Sequence, residues 1–443
     1  MASTREGWVM AERRPRDRKQ QILAAAGELF RERGYHNVSV SDVTTRVNIT
    51  ASALYRHYRN KNDLLYHAVL AGIDDLQDTV DGSADLPSLL AALSGMSVRR
   101  RGLPLLWQRE ARYLQDEQRA FLRKRLSVTV SPVFDAVHAH RPELAEADCR
   151  LVAFSILAVF SSPSSHRIVM SHRRMESLIH DIATRVALCP IGSEAAAASG
   201  PPVDAIAVPV SRREQLLTAA VRMFDDRGYR AVNNDDIGEA CGTTGPNVYN
   251  HFDTKLDLLA TAITRGFDRR DLAVRQALSR VADPRDTLVE LLRVHIAFAL
   301  ADGHLVGLIA TELGELPDSV RKACLRAQRD YLSLWVRALL EIRPGLDTVE
   351  AQFTVSAALT LIGNAARISQ LHRRTDLADR LADLCTALLT DEKNPPAALV
   401  DGGSGHIPRS HSAQAPALAD TASAGRWLRE NVCSCSQGLR TST

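Results

Sequence analysis

Thr50, Ala51, Ala53, Leu54 and Arg56 fall within seven consecutive positions, a spacing that gathers them on one short helix. The first residues of such a helix can enter the major groove of a DNA duplex, and the Arg56 guanidinium can reach a guanine edge or a phosphate. This is the chemistry of recognition. The sequence offers no catalytic alternative: it has no Gly-rich phosphate loop, no HExxH, no nucleophile elbow and no metal-ligand spacing. The seven cysteines, Cys433 and Cys435 among them, are scattered without the paired spacing of a zinc site and read as reduced thiols. No cofactor or metal is expected.

The elements that must hold those residues are helical. Ile22, Leu23, Ala26, Leu29 and Phe30 mark the buried stripe of a first helix, which Gly34 ends by its freedom at positive φ. Ser39 or Ser41 can cap a short second helix with Val43 and Val47 inside. Asn48 suits a left-handed turn, Thr50 caps the third helix, and Lys61 opens a fourth whose N-terminal dipole favours phosphate. Two short helices joined by a turn and braced by a first helix make a helix-turn-helix.

The same pattern occurs twice. Residues 18–65 align without a gap onto residues 212–259, with eighteen identities in forty-eight positions that include Phe30/Phe224, Gly34/Gly228, Tyr55/Tyr249, His57/His251 and Lys61/Lys255. A weaker match at a shift of 202 pairs Glu110 with Glu312 and Arg141-Pro142 with Arg343-Pro344. The duplication therefore covers whole units of headpiece plus helical domain.

AAGELFRERGYHNVSVSDVTTRVNITASALYRHYRNKNDLL and its copy AAVRMFDDRGYRAVNNDDIGEACGTTGPNVYNHFDTKLDLL closely resemble the signature region of the TetR family of bacterial regulators. The resemblance implies an all-α fold of two tandem units, each a three-helix headpiece plus an antiparallel helical bundle. It implies a double-stranded DNA-binding repressor that dimerises through C-terminal helices and is released by a small apolar effector. It also makes Tyr55, His57 and Lys61 phosphate contacts. The expected DNA-binding residues are Ser39, Thr50, Ala51, Ser52, Ala53, Tyr55, Arg56, His57 and Lys61, with Thr244, Gly245, Asn247, Tyr249, Asn250, His251 and Lys255 in the second copy. A helix-turn-helix that no longer engages DNA, leaving a ligand-binding or protein-interaction module, is the rival reading.

The copies differ in charge. Residues 13–65 hold eleven basic residues against five acidic ones, whereas residues 211–259 hold six against eight. Phosphate neutralisation supplies much of DNA affinity, so the first headpiece should dominate it. Asn250 stands where the first copy has Arg56, and Asn234, a polar group that costs stability unless hydrogen-bonded, stands in place of Val40.

The expected layout is a basic arm (1–17), headpiece one (18–70), helical domain one (71–189), a linker (190–210), headpiece two (211–264), helical domain two (265–391) and a disordered tail (392–443). Leu151 to Phe160 with Met175 to Leu188, and Phe353 to Ile362 with Leu377 to Leu389, are candidates for the association bundle. They pair either within one chain, as a pseudo-twofold dimer, or between two chains, and the long linker favours the first. Leu305, Leu308, Trp335, Leu339 and Leu361 read as core of the second helical domain. No apolar run approaches the ~18 residues of a membrane span, and the N-terminus lacks a secretory apolar centre, so no membrane role and a cytoplasmic location are expected.

Overall fold

The computed structural model of the chain describes residues 15–102, 104, 106–191, 211–368 and 371–390. Residues 1–14 of the expected arm, most of the linker, and the tail with Cys433 and Cys435 lie outside them. Every regular element among the described residues is helical. Copy one contains α1 (Pro15–Arg33), α2 (Val40–Val47), α3 (Ala51–Tyr55), α4 (Lys61–Asp81), α5 (Leu86–Arg99), α6 (Asp116–His140), α7 (Glu146–Ser161) and α8 (His172–Leu188). Copy two contains α9 (Arg212–Arg227), α10 (Asn234–Ala240), α11 (Gly245–Val248), α12 (Lys255–Leu278), α13 (Pro284–Ala301), α14 (Gly303–Glu312), α15 (Asp318–Ile342), α16 (Thr348–Ala365) and α17 (Leu377–Leu389).

The described residues form two compact units, one within residues 15–76 and 100–122, the other within residues 77–99 and 123–390. This differs from the expected layout in three ways. The boundaries drawn at 70/71 and 264/265 cut through α4 and α12, which are continuous helices and cannot serve as flexible joints. Residues 15–17, placed in the basic arm, begin α1. Ile191, assigned to the linker, is buried, and its N–H donates to the Cys189 carbonyl.

In the first unit, Ile22, Ala26, Leu29 and Phe30 of α1 are buried together with Val43, Leu54, Leu64 and Leu65. The stripe expected from spacing is thus the core that braces the helix-turn-helix. Residues 100–122 belong to this unit through a π-helical turn, Leu106–Glu110. The Glu110 side chain is 1% exposed, accepts from the Tyr35 backbone N–H at 2.9 Å, and lies 2.5 Å from Arg109 Nε. Tyr113 stacks on Tyr35, and its carbonyl accepts from Asn62 Nδ2 at 2.9 Å.

In the second unit, one apolar core runs from headpiece two into its own helical domain. Leu216, Phe224, Ile237, Val248 and Leu258 share it with Phe267 of α12, Leu308 of α14 and Cys324 of α15. Headpiece and helical domain are therefore not separable modules in copy two, which is why the expected split fails there.

The same unit holds a four-helix packing of α7 and α8 against α16 and α17, the four segments picked out as bundle candidates. Reciprocal ion pairs cross it. Arg174 meets Glu350 at 3.0 Å and also pairs with Asp347. Arg374 meets Asp148 at 2.6 Å and donates to the Ala147 carbonyl at 2.9 Å. Asp148 and Glu350 are matched positions at the 202-residue shift, so each copy presents its acid to an arginine of the other. At that shift Arg174 matches Asp376 and Arg374 matches His172, so the acids are related by the repeat and the arginines are not. Arg185 closes one end by donating to the Leu388 and Thr390 carbonyls at 2.9 and 3.2 Å. Arg141 and Arg343, noted as a repeat, likewise hold the last carbonyls of α8 and α17.

Candidate nucleic-acid interface

In the first headpiece, Ser39 begins α2 with a capping box: its hydroxyl accepts from the Asp42 N–H, and the Asp42 carboxylate accepts from the Ser39 N–H at 2.7 Å. The Ser39 hydroxyl, which donates to the Asp42 carboxylate, and then the Ser39 N–H and the Arg33 guanidinium hold the Asp42 carboxyl below its ordinary range. Asn48 closes α2 at φ 53°, in the left-handed region. Thr50 then caps α3, accepting from the Ala53 N–H at 3.2 Å. Each turn residue does the local work its chemistry suggests, and together they set the angle between α2 and α3.

Periodicity sorts the side chains of α3. Leu54 and Tyr58 point inward, 0% and 1% exposed, while Tyr55 is 52% exposed. Thr50, Ala51, Ser52, Arg56 and His57 are exposed, and Ala53 is half-buried. The expected contacts from Thr50 to His57 therefore lie on or beside α3, exposed or half-buried, whereas Ser39 and Lys61 sit at the starts of α2 and α4. Arg46 and Arg59 are exposed beside them, Arg46 only loosely paired with Glu28 at 3.4 Å. Arg59, which Asp253 replaces in the second copy, is legible in sequence as a local charge difference; Arg46, in the last turn of α2, is not singled out there.

Lys61 has a different role from the one expected. Its ammonium group donates to the Tyr35 and Val38 carbonyls at 2.8 and 2.9 Å and sits 4.2 Å from the Tyr35 ring centre. Lys255 repeats this, donating to Tyr229 and Val232 at 2.9 and 2.7 Å over the Tyr229 ring. Burial lowers the pKa of both lysines. An ammonium with two of its three protons on carbonyls clamps the turn before α2 or α10 and keeps one proton for any further contact. The compact head on a flexible stem suits two converging carbonyls better than a planar guanidinium does, which accounts for a matched lysine in an arginine-rich chain. Arg18 is likewise structural, donating to the Val47 carbonyl at 3.3 Å, and its counterpart Arg212 to Cys241 at 2.6 Å.

Headpiece two keeps the scaffold and changes the tip. Asn233 and Asp236 form the equivalent capping box, but Thr244 makes no side-chain cap and α11 has four residues. Gly245 is buried so tightly against Asp235 that a Cβ there would collide with the carboxylate. That negative charge stands at the start of the recognition helix, the end an approaching phosphate would meet. Asn247 donates to Thr243 at 2.7 Å and Asn250 donates to Asn247 at 2.7 Å, so the two candidate readers are hydrogen-bonded locally. Tyr249 is 57% exposed and His251 half-buried. The Asn234 Oδ1 is buried without a hydrogen bond to any described residue, the cost anticipated from its place opposite Val40.

The interior of the second helical domain holds a polar cluster that spacing alone does not reveal. Arg270, 4% exposed, lies over the Tyr331 ring at 4.0 Å, donates to Gln328 at 2.7 Å, and is paired with Asp271. The Tyr331 hydroxyl is hydrogen-bonded to His295 Nδ1 at 3.0 Å. Burial, and then the Arg270 charge, push the His295 imidazole down to about 3, so it is neutral. The adjacent Asp225 and Asp226 also converge with His304, 79 residues from Asp225, although no metal-ligand grouping is legible in the spacing.

An exposed reading helix on a capped three-helix scaffold, present twice, defines a DNA-binding regulator of the helix-turn-helix class. The family described as bacterial regulatory proteins of the tetR family matches residues 22–68 and again residues 216–262. The transcriptional repressor KstR2 of Rhodococcus jostii is 30% identical over 141 residues, 31% of this chain and 69% of the relative. The transcriptional activator FasR of Mycolicibacterium smegmatis is 43% identical over 77 residues, 17% of this chain and 35% of the relative, so the chain spans about a third of FasR. A solved ketosteroid transcriptional regulator, KstR2 of Mycobacterium tuberculosis, shares 22% identity over 40% of this chain and 93% of its own, with a TM-score of 0.37. The chain belongs to the tetR family of bacterial transcriptional regulators, with the family's headpiece in tandem.

Proposed function

We propose that this chain is a ligand-released transcriptional repressor, without enzymatic activity, that reads DNA chiefly through its first headpiece and pairs its two copies within one molecule. The observation that carries the reading is the contrast between recognition helices. α3 and the turn after it expose Tyr55, Arg56 and His57 on a basic headpiece, whereas α11 begins against Asp235, with Asn247 and, just beyond the helix, Asn250 hydrogen-bonded locally. Base contacts specify and phosphate contacts position, and only the first tip is equipped for both. The reciprocal pairs of Arg174 and Arg374 support the pseudo-dimer, since they satisfy the association surfaces without a second chain. The buried, mutually bonded Arg270, His295 and Tyr331 put polar groups inside the helical domain of copy two, the domain read as the effector domain.

Selection of bound duplexes from a random pool at low salt tests this. The expected product is a single well-specified half-site flanked by a weakly specified one, bound by one chain per duplex. Two equal, palindromic half-sites, or a stable two-chain species in dilute solution, would overturn the asymmetric pseudo-dimer.

A further inference from the structure

Asp225 is the most deeply buried carboxylate of headpiece two, its side chain 3% exposed at the end of α9. Two cations from elsewhere in the fold reach it. His304 Nδ1, at the start of α14, lies 3.0 Å from Asp225 Oδ2 and 3.9 Å from Asp226. Arg367, just beyond α16, donates to Asp225 Oδ1 at 3.1 Å. The three segments are pressed together: a Cβ on Gly307 would collide with the Asp225 carboxylate, and one on Gly303 with the Ala366 carbonyl. Arg269 of α12 holds the same corner by pairing with Asp302.

All of this junction but one carboxylate is specific to copy two. At the matching positions copy one has Arg31 and Glu32 for the two aspartates, Gly102 for His304, Arg101 and Leu105 for the two glycines, and Ser165 for Arg367. A duplicated framework has acquired here a second acid, a histidine, an arginine and two glycines that let them meet. With His304 protonated the charges of Asp225, Asp226, His304 and Arg367 cancel. A neutral imidazole leaves the carboxylates one charge in excess in a buried place. Arg367 already occupies one Asp225 oxygen, which favours a proton over a metal ion at His304.

We propose that Asp225, Asp226, His304 and Arg367 form a proton-dependent lock that fastens headpiece two to its helical domain and to the end of the bundle helix α16. The second headpiece is then a fixed strut whose hold follows pH, where copy one has no such lock. The charged groups facing His304 are Asp225, Asp226 and the more distant Arg222 of α9, with Arg367 and Arg227 acting on the same acids. The Asp225 hydrogen bond raises the His304 pKa above its ordinary value, burial works against it, and the charges of both aspartates add to the rise. A raised folded pKa means the lock is fully present below about pH 6.5. It weakens as pH climbs through the folded value.

Amide hydrogen exchange of the full-length protein between pH 6 and 8, corrected for intrinsic exchange, tests this on residues 222–231 and 303–309. Protection there should fall by about two- to fivefold across the range, the size of an ion pair this exposed. Residues 28–37 of headpiece one should show no such dependence. His304→Gln should lower protection and flatten the pH profile. Should that variant fail to fold, Arg367→Lys and Asp226→Asn serve in its place, the first keeping the profile and the second reducing it. A wild-type profile that is flat, or one that persists in His304→Gln, overturns the lock. So does protection that depends on added Zn²⁺ and not on pH.

Discussion

The two headpieces share their scaffold and part company at their tips. Both clamp the turn before the helix-turn-helix with a lysine over a tyrosine ring, at 4.2 and 4.3 Å, and both open the first helix of the helix-turn-helix, α2 or α10, with a capping box. At the tip, copy one turns Arg56 outward, whereas copy two places Asn250 there and an aspartate at the helix start. What folds the headpiece and what reads DNA are thus different residues, separable within fewer than fifty positions. Duplication has kept the first set in both copies; of the expected contacts it has kept Thr50, Tyr55 and His57 as Thr244, Tyr249 and His251 and has replaced Ala51, Ser52, Ala53 and Arg56.

Arg56→Ala should break the comparison most visibly. Loss of one base or phosphate contact of this kind costs ~1–3 kcal/mol, or about ten- to a hundredfold in affinity. Asn250→Ala should stay within about twofold, as a surface change does. Anisotropy titrations on the selected operator at fixed salt compare them directly, and matching losses would mean that both tips read DNA.

Lys61→Ala and Lys255→Ala should, in contrast, behave alike. Each leaves two carbonyls without their donor and should cost its headpiece ~1–3 kcal/mol, measured as loss of protection or of thermal midpoint. DNA affinity in Lys61→Ala then falls with the folded fraction of the tip and recovers on cooling. A loss independent of temperature that also lowers the salt slope would return Lys61 to the phosphate contacts.

The lysine marks where reading from sequence stops. Period and capping chemistry are local, so the stripe of α1, the Ser39 and Thr50 caps and the left-handed Asn48 were all legible. So were the bundle helices, because their apolar faces are continuous. Lys61 was legible as important but not in its role, since its partners Tyr35 and Val38 lie more than twenty residues away and are backbone atoms. Glu110 stood out as a repeat with Glu312, yet that it binds the Tyr35 N–H from seventy-five residues away is a fact of tertiary packing. The domain boundaries failed for the same reason, because α4 and α12 carry the chain across them.

A smaller effect sharpens the comparison at Asn234. Its Oδ1 is buried without a hydrogen bond to any described residue, where copy one has Val40. Asn234→Val should raise the stability of headpiece two by about 1 kcal/mol, at the low end of what a buried unpaired polar group costs. Urea midpoints with an unchanged slope are the readout. A loss of stability instead would mean that the amide has a partner in solution.

The smallest difference lies in the capping boxes. Ser39 both accepts from the Asp42 N–H and donates its hydroxyl proton to the Asp42 carboxylate at 2.5 Å, whereas Asn233 supplies only its carbonyl oxygen to the Asp236 N–H at 2.8 Å. Asp42 therefore has one more hydrogen bond to lose, and Asp42→Asn should lower the thermal midpoint at pH 7 more than Asp236→Asn does. Because the folded pKa of Asp42 is depressed, its contribution is complete above the ordinary carboxylate value of about 3.9 and disappears as pH falls through the folded one. Wild type and Asp42→Asn should then converge in acid, and a gap that persists there would assign the effect to the shape of the cap and not to its charge.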